Sequence, residues 1–79
     1  MTMMLCMKTT AADTIALATR NADNGAAMQS SAQLCLSDAR ELFTNGDYGY
    51  ANSRAIASLS YSVGMFHPDF KAASAALRG

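Results

Sequence analysis

The chain has no tryptophan, one histidine, one proline and two cysteines in 79 residues. Each shortage excludes something. Secreted domains of this size are usually stapled by several disulfides, and two cysteines permit at most one. Cys6 and Cys35 therefore read as reduced, unbridged thiols. A lone His67 leaves no histidine pair for a metal centre, and no Glu-x-x-His motif of the di-iron bundle type is present. No metal or cofactor is expected. Charge is scarce as well, at 15% of residues against about 25% in an average domain. Six basic side chains balance six acidic ones, and neither sign clusters. Without a basic stripe the counterion release that drives nucleic-acid binding is missing, so no nucleic-acid partner is expected. No apolar run approaches the roughly 20 residues of a membrane span. The apolar start, 1–7, precedes the first basic residue, Lys8, whereas a secretory signal puts its basic segment first. The expectation is a cytoplasmic protein without membrane contact.

What is present is alanine, serine and a helical rhythm. The pattern predicts a single all-α domain over 1–79, with disorder allowed for 1–8. Its architecture is an up-and-down antiparallel bundle of three to four helices. A first helix, about Thr9 to Ala22, carries Ala12, Ile15, Ala16 and Thr19 on one face. Asn21-Ala22-Asp23-Asn24-Gly25 is a turn by composition, with Asp23 or Asn24 as N-cap for the next helix. The second helix, about Gly25 to Thr44, has the clearest stripe: Met28, Ala32, Cys35, Leu36, Ala39, Leu42 and Phe43 recur at three- and four-residue spacing. Ser30, Gln33, Ser37, Arg40 and Glu41 take the other side. Asn45-Gly46 ends it, since both residues tolerate the left-handed C-terminal position, and Asp47 is expected to cap a third helix.

That third helix, about Tyr48 to Val63, lines up Tyr48, Ala51, Ala55, Leu59 and Phe66, flanked by Ile56 and Val63. The short connection forces helices two and three into an antiparallel hairpin. Leu42, Phe43, Tyr48 and Leu59 are expected at the centre of the core. Gly64 weakens the helix end, and Pro68 suits the first position of a fourth helix running to Arg78 with Phe70, Ala73 and Leu77 inward.

Tyr50, Arg54, Ala57 and Tyr61 form a second stripe on helix three, opposite its core-facing line. Tyrosine and arginine are enriched at binding hot spots, so these four residues are the candidate partner surface. A short chain with a limited core gains most by burying such a stripe against a second copy. Catalytic candidates are poorer. His67 has no nucleophile or orienting carboxylate paired to it by spacing, and at the start of a helix it reads as a cap or a turn residue. Cys6 with Met3, Met4 and Met7 offers soft donors for Cu(I) but no Cys-x-x-Cys spacing. Gly46 and Gly49 lack the Gly-Lys-Ser/Thr of a phosphate loop. No catalytic residues are assigned, and an enzyme is not expected.

Asp38-Ala39, Gly46-Asp47-Tyr48 and the segment Ala55-Ile56-Ala57-Ser58-Leu59-Ser60-Tyr61-Ser62-Val63-Gly64 resemble the archaeal family called domain of unknown function 357. That resemblance implies a small cytoplasmic helical bundle and no established activity. The run Gly46-Asp47-Tyr48-x-x-Ala51-x-Ser53-Arg54-Ala55 also resembles the hairpin of HEPN domains, some of which are ribonucleases. Those enzymes need an arginine and a histidine close together on one helix, and Arg54 and His67 are too far apart. Gly-Asp-Tyr-x-x-Ala is similar, too, to the opening of the second helix of tetratricopeptide repeats. The functional expectation is a helical interaction module, self-associating through helix three or binding a protein partner. The alternative is a degenerate or partner-completed HEPN-like ribonuclease of a toxin system.

Overall fold

Gly46 and Gly64 fall between the periodic segments and Pro68 opens the last of them. In the computed structural model, which describes residues 2–22 and 29–78, four helices follow one another: α1 (Thr2–Asn21), α2 (Gln29–Thr44), α3 (Tyr48–Ser62) and α4 (Pro68–Arg78). No strand occurs among the described residues. The domain is an all-α bundle.

Two contacts set the helix directions. Near its start, α1 lays Met7 against Gly49 at the start of α3, while at its end Arg20 and Asn21 reach Asp69 at the start of α4. Hence α1 and α3 run parallel, and α2 runs antiparallel to α3. The central helix is α3, packed chiefly on α2 and α1, with α4 turned back against α1 and α3.

The core is built from small side chains. Ala18, Ala22, Leu36, Ala39, Ala55, Leu59 and Ala73 form one buried cluster, with Ile15, Leu17, Ile56, Val63 and Phe70 partly buried against it. Alanine at the contacts brings helix axes close, and dense packing rather than bulk then supplies the contact energy. Leu59, wholly buried, is the largest side chain at the centre. Leu42, Phe43 and Tyr48, expected beside it, are only half-buried. Phe43 and Tyr48 do meet edge to face, their centroids 5.1 Å apart, but at the hairpin end of the molecule, where solvent reaches both rings.

Several boundaries and faces differ from the sequence reading. Helix α1 begins at Thr2 rather than Thr9, and Met7 and Lys8 dock on α3: Lys8 Nζ stands 5.9 Å from the Tyr48 ring centroid, within cation–π range. Its inward residues are Ala11, Thr14, Ala18 and Asn21, while Ala12, Ala16 and Thr19 face solvent. Of the expected stripe only Ile15 packs on the core, because alanine and threonine occupy both faces and carry almost no directional signal. Helix α2 is assigned from Gln29; Met28 and the proposed caps Asp23 and Asn24 lie outside the described residues. Its stripe is otherwise as read, with Ala32, Cys35, Leu36 and Ala39 buried. Helix α4 starts at Pro68 as expected, with Ala73 buried and Phe70 packed inward; the Leu77 side chain lies outside the described residues.

The α2–α3 turn is a Schellman closure: Asp47 N donates to Leu42 O and Gly46 N to Phe43 O, with Gly46 at φ +87° in the left-handed region. Asp47 occupies the N-cap position of α3, but its side chain makes no capping hydrogen bond. Phe66 is a further correction. It is 90% exposed, since α3 stops at Ser62 and Gly64, at φ +91°, turns the chain away before Phe66 can join the inward line.

Candidate functional site

The buried side of α3 carries Ala51, Asn52, Ala55, Ser58, Leu59 and Ser62. Ser58 Oγ donates to Ala32 O on α2 at 2.7 Å, and Met7 touches Gly49 from α1. With α1 and α2 on two sides, a third side of α3 is left to solvent. There Tyr50 is 73% exposed and Tyr61 40%, with Ser53 exposed and Ala57 and Ser60 half-buried between them. Tyr50 and Tyr61 are eleven residues apart, so at 100° per residue they share one azimuth to within about 20°, three turns along the axis. The floor between them is low, because Ser53, Ala57 and Ser60 are small and Ser60 folds its hydroxyl onto Ala57 O at 2.7 Å.

Arg54 starts on the stripe, but its guanidinium does not stay there. It leans to the α2 side, where Nη2 donates to Asp38 Oδ2 at 3.2 Å and to Cys35 Sγ at 3.5 Å. The stripe is thereby tied to α2 at its middle. Its one charge is already neutralised. Cys35 is a buried free thiol, and the side chain of Cys6 lies outside the described residues, as do those of Met3 and Met4.

Arg54, Asp47 and His67 do not share a depression. Arg54, with Asp38, Glu41, Leu42 and Asn45, lines an open depression of about 300 Å³ between α2 and α3. Asp47 lines another, of about 450 Å³, with Met7, Tyr48, Gly49, Tyr50 and Ser53. His67 lines neither. Its Nδ1 accepts the Asp69 backbone N–H at 3.0 Å, which caps α4. Asp69 in turn accepts from Arg20 at 2.9 Å and from Asn21 at 2.8 Å. The Arg20 hydrogen bond, then that of Asn21, hold its carboxyl below the usual carboxylate range. These are contacts that join α1 to α4. Among the described residues Asn52 Oδ1 is buried without a hydrogen-bond partner, and neither depression reaches it. Among the described residues, no three His, Cys, Asp or Glu side chains are grouped to hold a metal ion. No described helix is long and apolar enough to cross a membrane.

Sequence reasoning found the two exposed tyrosines from their spacing. It missed the Arg54–Asp38 pair and the Asp69 clamp, whose partners lie 16 and 48 or 49 residues away in sequence. Comparison with models of protein families, with curated proteins and with solved structures finds no match.

Proposed function

We propose that this chain is a small cytoplasmic helical interaction module that self-associates through the outward side of α3. The observation that carries the reading is the pair Tyr50 and Tyr61, exposed at 73% and 40% on the central helix with a low floor between them. Buried tyrosines bring 150–250 Å² each. Two copies meeting on this face would remove on the order of 400 Å² of tyrosine surface, at most about 10 kcal/mol at 25 cal/mol per Å². Association costs about 4–15 kcal/mol, so the tyrosines roughly offset that cost and the surplus must come from the rest of the interface. A specific interface takes about 600 Å² or more from each partner. That is roughly an eighth of the chain's 4919 Å², an area that α3 reaches only together with the adjoining edges of its neighbours. Met65 and Phe66, also exposed, lie in the turn between α3 and α4 and present a single ring.

The ribonuclease alternative asks Arg54 and His67 to act together. Arg54 is engaged by Asp38 and Cys35, and His67 caps α4. Nothing favours that reading over the binding one. The resemblance to the domain of unknown function 357 family adds no activity to transfer.

Sedimentation equilibrium tests the proposal. The wild-type protein should rise above the 8.3 kDa of one chain as concentration increases, and a Tyr50→Ser/Tyr61→Ser variant should stay at that mass with an unchanged helical circular-dichroism spectrum. A wild-type protein that remains monomeric, or a variant that associates equally well, rejects the reading.

A further inference from the structure

The residues of this stripe are arranged about a single midpoint. Tyr50 and Tyr61 are centred between Ala55 and Ile56, and so are Arg54 and Ala57. Large residues stand at both ends, with a long residue and a small one at mirrored positions inside. We infer that the partner of this face is a second copy of the same chain, with the two α3 helices antiparallel across a two-fold axis level with that midpoint. The inference rests on the self-association proposed above and adds the orientation of the two copies and the residues that meet.

In this register Tyr50 of each copy lies beside Tyr61 of the other, so the tyrosines meet as two equivalent pairs. Arg54 lies beside Ala57 of the second copy, and the stem of the long side chain fills the space that the short one leaves. A two-fold axis along the helices gives the opposite result. Tyr50 then meets Tyr50, Ala57 faces Ala57 across a void, and the two guanidiniums stand at the same level. Like charges directly opposed are unfavourable, and the antiparallel register staggers them. Each Arg54 also keeps Asp38 at 3.2 Å. Both members of that pair are over two-fifths exposed, leaving the second carboxylate oxygen of Asp38 able to accept from the other copy's Arg54. Charges near the axis would then alternate in sign. A closed two-fold contact of this kind gives a dimer and stops there.

Tyrosine cross-linking reads the register in the unmodified protein. Equal amounts of chains carrying light and heavy nitrogen are mixed, photo-oxidised briefly to dityrosine, digested and analysed by mass. The predicted product is a mixed-isotope link between Tyr50 and Tyr61. Tyr50→Phe should abolish that link while the variant still sediments as a dimer. Mixed-isotope Tyr50–Tyr50 and Tyr61–Tyr61 links would show parallel helices and overturn the register. A dimer by sedimentation with no link between copies at these residues would move the interface elsewhere, again overturning it. A protein that sediments as a monomer at all concentrations removes both the inference and the reading beneath it.

Discussion

Arg54 reaches from α3 to Asp38 on α2, Nη2 to Oδ2 at 3.2 Å, and so joins the two helices of the hairpin at the edge of the exposed tyrosine face. Both side chains are over two-fifths exposed. Exposed pairs of this kind contribute about 0–1 kcal/mol to folding. Their larger effect falls on association, because removing Asp38 leaves two unneutralised guanidiniums near a contact between copies. Asp38→Asn should shift the urea midpoint little and weaken self-association, more so at low salt, where charges are less screened. Sedimentation at two ionic strengths checks this; equal association by variant and wild type contradicts it.

Leu59 is wholly buried among alanines of all four helices. Leu59→Ala should cost about 2–5 kcal/mol, a large share of what a small domain has. An unchanged thermal midpoint would contradict the packing described.

Two glycines should respond differently. Gly46 sits at φ +87° with open space around it, so Gly46→Ala meets backbone strain and should destabilise by about 1–2 kcal/mol. Gly49 has helical backbone, and an added Cβ would meet only the terminal methyl of Met7, at 3.1 Å. That flexible end can move, and the gain in helix propensity is at most about 1 kcal/mol. Gly49→Ala should therefore be neutral to stabilising. Melting both variants beside wild type is sufficient, and a loss at Gly49 equal to that at Gly46 would rule out this account of the turn.

The hairpin was legible in the sequence because its signals agree. The α2 stripe, the Asn45-Gly46 stop and the Pro68 start each rest on residues with strong local preferences. The register of α1 was not legible, since Ala11, Ala12, Thr14 and Ala16 differ too little in polarity to mark a face. What fixes that face is packing against α3, beginning with Met7 on Gly49. The tyrosine stripe was visible from spacing alone. The bond that draws Arg54 toward α2 was not, because it depends on how α2 and α3 are aligned.

Asp69 carries the pH prediction. Its folded pKa is depressed by hydrogen bonds from Arg20 and then Asn21, so its contribution is present above the unfolded value, about 3.9, and is lost as pH falls through the folded value. Asp69→Asn should lower the melting midpoint at pH 6 and narrow its gap from wild type as the pH is taken down through the carboxylate range. A gap that stays constant with pH would show that the clamp does not depend on the charge of Asp69.

A dilution series followed by amide ¹H–¹⁵N correlation spectra tests the central claim most directly, since it reports whether copies meet and also where. The account predicts concentration-dependent shifts at Tyr50, Ser53, Arg54, Ala57 and Tyr61 and on the adjoining edge of α2, with the buried residues around Leu59 unmoved. Spectra that do not change with concentration, or shifts gathered at Met65 and Phe66 instead, would contradict it.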